Sequence, residues 1–483
     1  MDPEHGHSGS LDNEKERVED IQVSRVEPTP PYDAERHRRL RRKIDLHLMP
    51  ICFWVYLVNY LDRSNIGNAK ILNSETGDSF LQSLHMSPNG YAVTVTLFSI
   101  AYSIFDVPAN IVLKRFFRPS LWFGSLFFSW GVLTLGFGFL KTYPSAVVIR
   151  FLIGALEAGF YPGIVYYITF WYRQEERSFR IAFFSAGTTL SGAFGGCLAY
   201  GVALINRRAG LKGWQWLFVI EGLITIFSTA LLFFFLPDYP STSKWLKPEE
   251  RQFAIDRLDE QQSSFTRERA SRHEILEALS PRMIAHYMAF FLDVVVFSSL
   301  VYFCPTIVNG LGYTSIHAQL MTVPAWSIGF VVSLIVAYSG DKFNARGYHA
   351  ALTATLGGIG FLACVILPAH AYRARYGCLL LASCGAFPTL APLAGWVTCN
   401  APGQRTVGLC AALNSAGVGL ASVVSVWIWR AQEAPRGFPT GNIVCAVCSF
   451  VSALLAIGLR LHYGRLNKKT AASGDLNARV WVY

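Results

Sequence analysis

The chain has 483 residues, of which 52% are hydrophobic and only 15% are charged, and its mean hydropathy is +0.32. Soluble domains carry about a quarter charged residues, so the composition excludes an ordinary soluble domain and is typical of a membrane protein. The net charge is +10, but lysine and arginine stand in short runs between apolar stretches. That arrangement indicates membrane topology rather than nucleic-acid binding.

The first element is a polar segment of 43 residues. It is rich in Glu, Arg and Pro and contains no apolar stretch typical of a signal peptide. A segment of this composition buries too little apolar surface to fold. We therefore expect residues 1–43 to form a disordered cytoplasmic tail, without a cleavable signal peptide.

Twelve apolar stretches follow the tail. A membrane-spanning helix needs about 20 consecutive apolar residues. Stretches of about that length lie at 48–67, 91–113, 121–140, 145–171, 179–205, 215–236, 283–308, 317–338, 349–368, 376–398, 404–429 and 441–463. The sequence therefore predicts an all-α membrane protein with twelve transmembrane helices.

A polar segment at the centre of the chain divides these spans six and six. We expect an N-terminal six-helix bundle over 44–236, a central cytoplasmic loop over 237–282, a C-terminal six-helix bundle over 283–463 and a cytoplasmic tail over 464–483. Lysine and arginine near the span ends are more numerous on the side of the tails and the loop. The positive-inside rule assigns that side to the cytoplasm.

Spans 5 and 11 carry similar segments, "RIAFFSAGTTLSG" and "RTVGLCAALNSAG". Each begins with an arginine, Arg180 or Arg405, and has a glycine twelve residues later. Equivalent segments in two six-span halves indicate duplicated bundles. Gly192 and Gly196 also form a small-residue pair one turn apart, which allows close helix packing.

Five ionisable residues stand out within the predicted spans. They are Asp62 and Arg63 in span 1, Asp106 in span 2, Glu157 in span 4 and Asp293 in span 7. A charged residue at the centre of a membrane costs ~2.5–3.5 kcal/mol on insertion scales, so such residues usually face a cavity or a charged partner. These five are the first candidates for functional residues.

The adjacent pair Asp62 and Arg63 cannot form one simple ion pair. Neighbouring positions of a helix point about 100° apart. We therefore expect each side chain to contact a different helix or a water-filled cavity. The alternative is that span 1 ends early and that both residues lie at the membrane interface.

Glu157 lies near the middle of span 4, in "RFLIGALEAGFYPG". Burial at this depth disfavours the charged carboxylate, which is the property of a proton carrier. Arg150 lies seven residues earlier on the same helix face, so the alternative is a structural Glu fixed by an arginine. Asp293 lies equally deep in span 7, without an evident partner in the sequence.

The spans, the central loop and two long motifs resemble the major facilitator superfamily. The motifs are "NYLDRSNIGNAK" in span 1 and "RFLIGALEAGFYPGIVYYITFWYRQEERSFR" through span 4. Within the superfamily they are most similar to the anion:cation symporter branch and its fungal allantoate permease family. The resemblance covers about residues 45–465 and implies the major facilitator fold of two six-helix bundles.

The resemblance also implies roles for individual residues. Asp62 and Glu157 match carboxylates implicated in proton coupling, and Arg63 matches an arginine implicated in binding an anionic substrate. Tyr60 and Tyr102 match cavity-lining tyrosines. By a looser alignment, Asn414 in span 11 matches a cavity-lining asparagine.

The chain departs from the superfamily pattern in several places. Lys114 stands where the loop after span 2 normally has an aspartate, whereas "SGDKFNARG" in the second half keeps Asp341 and Arg346 as gating residues. Asp106 replaces a residue that is usually Glu. Several relatives have a cavity-lining Gln in span 5 where this chain has Gly187, so the substrate contacts are expected to differ.

These features favour a proton-coupled transporter of a small organic anion, acting as a monomer in the cell membrane without a metal or cofactor. Efflux of a fungal secondary metabolite is the alternative within the same class, and a non-transporting substrate sensor is a third hypothesis. A membrane enzyme is disfavoured because motifs such as the P-loop and HExxH are absent. Cys445 and Cys448 form a C-x-x-C pair within an apolar helix and are expected to be core residues.

Overall fold

The computed structural model describes residues 31–87, 89–116, 118–263, 272–402, 406–473 and 481–482. Twelve of its helices are long and apolar enough to cross a membrane, as predicted. In chain order, the bounds of spans 1 to 12 are Pro31–Ile71, Gly90–Phe116, Pro119–Phe137, Tyr143–Glu157 continued by Phe160–Ile168, Gln174–Ser185 continued by Gly187–Ala203, Gly213–Phe235, Pro281–Asn309, Ser315–Lys342, Arg346–Ile366, Tyr372–Cys399, Val407–Trp427 and Pro439–Ser473.

Shorter helical segments connect some of these spans. The α-helices among them are Phe80–Ser83, Pro248–Ser263 and Arg272–Glu277, and the 3-10 turns are Ser74–Thr76, Arg208–Gly210, Pro240–Thr242 and Ala431–Arg436. Because six spans precede the central linker and six follow it, the start of span 1, the linker and the end of span 12 lie on one membrane face. We call this the terminal face, and the other the distal face.

Several boundaries differ from those that the sequence predicted. Residues 31–43, assigned to the disordered tail, are helical and continuous with span 1, because Leu40 is buried and Arg39 pairs with Glu35 one turn away. Span 12 continues past residue 463 to Ser473. Residues 1–30 of the predicted tail and Arg405 lie outside the described residues.

The central linker is held against the N-terminal bundle. Glu250 accepts a bond from Lys43 at 2.5 Å, and the buried Arg257 donates to the backbone carbonyl of Trp171 at 2.6 Å. Charged side chains that the sequence placed in a loop therefore bind the terminal face of spans 1 and 4.

The last described residues, Trp481 and Val482, fold back onto the C-terminal bundle. The side chain of Asn400 bonds both the N–H and the carbonyl of Val482, at 2.9 and 3.0 Å. Asn467 does the same with Trp481, whose ring stacks on Tyr463. These two residues of the predicted cytoplasmic tail therefore pack against the terminal ends of spans 10 and 12.

The two six-helix bundles meet through three pairs of helices: span 1 with span 7, span 2 with span 11, and span 5 with span 8. Gly192 and Gly196 lie in the third pair, where a Cβ would be within van der Waals overlap of Trp326 and Thr322. The small residues of span 5 therefore allow the bundles to approach closely.

Hydrogen bonds join the bundles near the distal face. The Tyr91 hydroxyl donates to the Tyr302 carbonyl at 2.9 Å, and Gln319 donates to the Asn68 carbonyl at 3.1 Å. Glu75, in the turn after span 1, accepts a bond from the Ser315 N–H at 2.9 Å. The structure is therefore closed on the distal side.

Candidate substrate and proton site in the N-terminal bundle

A buried ion pair joins span 1 to span 4. Arg63 Nη2 donates to Glu157 Oε2 at 3.0 Å, and the exposed fractions of the two side chains are 11% and 0%. Gly154, one turn before Glu157, faces the backbone of Phe98 and lets span 4 pack closely on span 2, which also contacts Arg63. The pair brings together the two residues for which the sequence predicted anion binding and proton coupling.

Three aromatic rings surround the Arg63 guanidinium. Its central carbon lies 4.6 Å from the ring centroid of Tyr102, 5.0 Å from that of Tyr60 and 5.2 Å from that of Phe98. These distances are within the range of cation–π contacts. The structure thus places Tyr60 and Tyr102 beside Arg63. Phe98 was missed, although it lies one turn before Tyr102 on the same face.

The aromatic surface continues across the bundle boundary. The Tyr60 ring lies 6.3 Å from that of Phe297 in span 7, which in turn contacts Phe387 in span 10 at 5.7 Å. Phe387 stacks on Trp326 of span 8 at 4.5 Å. Arg63 therefore lies at one end of a line of rings that crosses from one bundle to the other.

Asp62 contacts a different part of the N-terminal bundle. Its Oδ2 accepts bonds from Trp130 Nε1 in span 3 and Thr225 Oγ1 in span 6, both at 3.1 Å. Helix geometry predicted this separation from Arg63. The alternative of an early end to span 1 is wrong, because the helix continues to Ile71.

Arg150 makes no hydrogen bond or close ion pair with Glu157 among the described contacts. Its Nη1 donates to the backbone carbonyl of Asp62 at 3.4 Å, and its guanidinium lies over the rings of Phe137 and Phe218 at 5.0 and 5.4 Å. Seven residues of helix rise about 10 Å, so side chains two turns apart bond different neighbours. The alternative of a Glu157 fixed by Arg150 is therefore replaced by an Arg63–Glu157 pair.

Glu221 in span 6 is a buried acid that the sequence analysis missed. It is fully buried, and neither carboxylate oxygen has a hydrogen-bond partner among the described residues. The signal was available, because Glu221 is the only ionisable residue in the apolar run from Gly213 to Phe235. Span 6 lies outside the two motifs of spans 1 and 4, which carried the family resemblance.

Two of the remaining predicted residues, Asp293 and Asn414, lie apart from the Arg63–Glu157 pair. Asp293 and Asn414 are 3% and 6% exposed, and Asp293 Oδ2 and Asn414 Oδ1 have no hydrogen-bond partner in the described part of the chain. Asp293 lies one turn before Phe297, which contacts Tyr60. Asp106 is partly buried in span 2, one turn after Tyr102, and its charge acts on the Tyr102 hydroxyl.

The two predicted gating residues lie at the terminal face. Arg346 Nη1 donates to Cys399 Sγ at 2.8 Å, which links the ends of spans 9 and 10 within one bundle. The side chains of Asp341 and Lys114 lie outside the described part of the structure. Cys445 and Cys448 are buried free thiols, as expected for core residues.

A further cation, Lys70, lies at the distal closure. Its ammonium is 4.6 Å from the Tyr91 ring of its own bundle and 4.3 Å from the Phe303 ring of the other. Lys70 therefore contributes to the contacts that close the distal side. The sequence analysis did not predict this role.

In this site, the buried Arg63 guanidinium can exchange one anionic partner for another. Arg63 keeps its charge because a guanidinium does not lose its proton in proteins. Its carboxylate partner can be neutralised by a proton or replaced by the carboxylate of a ligand. The surrounding rings offer flat, apolar contact to the body of such a ligand.

Comparison with known sequences agrees with this architecture. Residues 52–426 match the sequence profile of the Major Facilitator Superfamily. The chain is 44% identical to MFS transporter prlL of a fungal species (strain NRRL 50135), over 99% of this chain and 97% of that protein. It is 28% identical to the high-affinity nicotinic acid transporter of Saccharomyces cerevisiae, over 92% and 81% of the two chains.

Comparison with solved structures shows the same fold. The crystal structure of a D-xylose-proton symporter matches with a TM-score of 0.66 at 17% sequence identity, over 85% of this chain and 97% of that one. A bacterial homologue of the lysosomal transporter Spinster, in an inward-facing conformation, matches with a TM-score of 0.64 at 14% identity, over 86% and 97% of the two chains. The chain therefore belongs to the Major Facilitator Superfamily of membrane transporters.

Proposed function

We propose that the protein is a proton-coupled secondary transporter of a small organic anion and that it works by alternating access. Within the superfamily, the motifs of spans 1 and 4 support a place in the anion:cation symporter branch and its fungal allantoate permease family. The observation that carries the proposal is the buried ion pair between Arg63 and Glu157, ringed by aromatic side chains.

Coupling follows from competition for one guanidinium. In the structure, Glu157 neutralises Arg63. When a proton binds the Glu157 carboxylate, Arg63 loses its counter-charge and can bind the carboxylate of the substrate instead. A buried charge without a partner is strongly unfavourable, so proton and anion bind together more readily than either does alone. Release of both on the other side of the membrane restores the Arg63–Glu157 pair.

The rings around Arg63 support an organic rather than an inorganic anion. Tyr60, Phe98 and Tyr102 surround the guanidinium, and Phe297 extends this surface from the other bundle. An apolar or aromatic body would pack on these rings while its carboxylate bonds Arg63. One relative is named a nicotinic acid transporter. We therefore propose flat carboxylates, vitamin-like acids and ureides as the substrate class.

Alternating access requires that the closure on the distal side can open. The contacts that must break include the bond from Tyr91 to Tyr302, the bond from Gln319 to Asn68, the bond from Ser315 to Glu75 and the contact of Lys70 with the Phe303 ring. All of them link surfaces that can separate without unfolding either bundle. We propose that the protein is a monomer in the cell membrane with both termini in the cytoplasm.

Direction of transport follows from the gradients, because the same cycle runs either way. Uptake of a nutrient and efflux of a fungal secondary metabolite are therefore two uses of one mechanism. The Arg63 site serves both uses, and the assay described next tests transport and coupling independently of its direction in the cell.

The test is transport by purified protein in lipid vesicles, with a panel of carboxylates, vitamins and ureides under an imposed pH gradient. We expect at least one anion to accumulate against its gradient, and a protonophore to abolish the accumulation. Glu157→Gln should keep exchange of labelled for unlabelled substrate and lose proton-driven accumulation, because the amide mimics the protonated acid.

Arg63→Gln is the matched variant, which should lose both exchange and accumulation because it removes the anion partner. Accumulation at the wild-type level by Glu157→Gln would overturn the coupling assignment. Transport that is equally fast with Arg63→Gln would overturn the binding assignment.

A further inference from the structure

A second group of ionisable side chains lies inside the N-terminal bundle, apart from the Arg63–Glu157 pair. It consists of Asp62 in span 1, Arg150 in span 4 and Glu221 in span 6, which are 2%, 3% and 0% exposed. The mechanism above does not use Arg150 or Glu221.

The geometry of span 6 places Glu221 between the other two groups. Phe218, three residues earlier, lies beneath the Arg150 guanidinium, and Thr225, four residues later, donates to Asp62. Residues at these spacings share one face of a helix. Glu221 therefore faces the same space, and the charged groups that act on it are Asp62 and Arg150.

The other helices around span 6 bring no further acid or base. Span 6 packs against spans 1, 3 and 5. The stretches Pro119–Phe137 and Gly187–Ala203 of spans 3 and 5 contain no Asp, Glu, Lys, Arg or His. The carboxylate of span 4, Glu157, acts through space on Arg150 and Asp62 but is itself paired with Arg63. The cluster therefore contains one permanent positive charge and two carboxyl groups.

The hydrogen bonds indicate which carboxyl group is charged. Asp62 Oδ2 accepts two hydrogen bonds, from Trp130 and Thr225, and its backbone carbonyl binds Arg150, although Asp62 Oδ1 has no partner among the described residues. Hydrogen bonds to a carboxylate stabilise its charged form. Neither oxygen of Glu221 accepts such a bond from any residue that the structure describes. A buried carboxyl group in this situation avoids the cost of an unpaired charge by binding a proton.

We propose that Glu221 is a proton-binding site of this transporter, distinct from the Arg63–Glu157 pair. It holds a proton in the state shown, while Asp62 balances the charge of Arg150. The three residues share one negative charge, because a single ionised carboxylate, on Asp62 or on Glu221, is enough to balance Arg150. Arg150 also bonds the carbonyl of Asp62, the peptide unit that leads to Arg63, so the charge of the cluster acts on the backbone that carries the anion site.

Infrared difference spectroscopy of the purified protein in lipid nanodiscs tests this inference directly. The spectrum of Glu221→Gln is subtracted from that of the wild type at neutral pH. We expect the difference to show loss of a protonated carboxyl C=O band that shifts when H₂O is replaced by D₂O. Loss of an ionised carboxylate band instead would overturn the proposal.

Two further variants complete the design. Asp62→Asn removes the negative charge beside Arg150, so Glu221 should lose its proton and supply that charge instead. The protonated carboxyl C=O band should then be absent from Asp62→Asn as well. If that band persists in Asp62→Asn, the cluster does not share its charge and the proposal is wrong. Glu249→Gln, an exposed acid of the linker, is the control and should lose only an ionised carboxylate band.

If Glu221→Gln does not fold, Glu221→Asp provides the same test. The protonated carboxyl band should then shift rather than disappear, and an unmoved band would overturn the assignment. The measurement needs no substrate, so its failure is distinguishable from failure of the proposed anion transport.

Discussion

Arg63 provides a permanent positive charge in the site, whereas its partner Glu157 carries a carboxyl group that can bind a proton. Glu157 neutralises it at 3.0 Å, and three rings hold the guanidinium between spans 1 and 2. A lysine at this position would keep the charge but not the flat surface that stacks on those rings. The site therefore depends on the shape of the cation as much as on its sign.

Phe98→Leu tests the contribution of the aromatic surround. The change removes one ring beside Arg63 and keeps an apolar side chain of similar length. A desolvated cation–π contact is worth up to about 2 kcal/mol, and tenfold in affinity corresponds to about 1.4 kcal/mol. We expect the KM of an identified anion to rise about three- to tenfold in vesicle uptake.

The control for that experiment is Phe105→Leu on the same span. The Phe105 ring is 40% exposed and contacts Phe151 rather than Arg63. Its replacement should leave the KM unchanged. Equal values of KM for the wild type and Phe98→Leu would show that the ring does not help to hold the guanidinium.

Asp78, in the connection between spans 1 and 2, gives a prediction about pH. Burial alone would raise the pKa of Asp78, but hydrogen bonds from Arg207, Asn206 and Thr76 lower that pKa to about 2. A group whose pKa is depressed on folding stabilises the folded state above its unfolded value, ~4, and loses that contribution as the pH falls toward the folded value.

Asp78→Asn should therefore lower the thermal unfolding midpoint at neutral pH, and the difference from the wild type should shrink below about pH 4. The Arg207 side chain is 68% exposed, so the effect should not exceed about 1 kcal/mol. Asp256→Asn in the linker is the control. A difference that stays constant down to the acid limit would contradict the assignment.

At the level of single residues, the direction of side chains around one helix was predictable, but their partners on other helices were not. The 100° step between neighbours correctly separated Asp62 from Arg63. The seven-residue spacing of Arg150 and Glu157 suggested a pair that does not form, because partners across helices depend on which spans are adjacent. That adjacency also explains why Glu221 joins Asp62 and Arg150, residues that are remote in the sequence.

The secondary structure was predictable where it depends only on the local sequence. Twelve apolar runs gave twelve spans, because a membrane helix must satisfy its backbone internally. The ends were less predictable. Residues 31–43 are helical because Leu40 is buried and the chain continues span 1, and Trp481 folds back because Asn467 and Tyr463 hold it. Both depend on tertiary contacts that composition does not contain.

The packing of span 4 on span 2 positions the ion pair, and Gly154 makes that packing close. A Cβ at Gly154 would overlap the carbonyl oxygen of Phe98. Gly154→Ala should therefore push the two spans apart and displace Glu157 from Arg63. Overpacking of this kind costs about 1–3 kcal/mol, so we expect a lower thermal unfolding midpoint and weaker transport.

Gly136→Ala in span 3 is the matched control for that variant. A Cβ at Gly136 would have no atom of another residue within 4 Å in the described part of the chain, and alanine favours a helix over glycine. Its thermal midpoint should be unchanged or higher. If Gly154→Ala behaved in the same way, the close approach of spans 2 and 4 would not matter for the site.

At the scale of the whole molecule, the internal repeat of spans 5 and 11 indicated two bundles, and the structure has two. Their contacts run through spans 1 and 7, 2 and 11, and 5 and 8. The sequence could not indicate which side is closed, because a transporter must populate states open to either side. In the structure, the bonds of Tyr91 and Glu75 to the other bundle place the closure at the distal side.

A cross-link at the distal closure should stop the cycle. Glu75 bonds the backbone of Ser315 across the bundle boundary. In a background without the native cysteines, Glu75→Cys with Ser315→Cys should react with a short thiol cross-linker. Transport should then fall to background, because the bundles can no longer separate on that side, and a cleavable reagent should restore it on reduction.

The control pair links two loops of one bundle on the same membrane face. Asn206 Nδ2 donates to Thr76 Oγ1 at 3.4 Å, so Thr76→Cys with Asn206→Cys accepts the same reagent. A link within one bundle moves with it as a rigid body and should leave transport intact. Full transport with the Glu75–Ser315 link in place would mean that the distal contacts persist through the cycle, and movement of the two bundles about the Arg63 site would then be excluded as the mechanism.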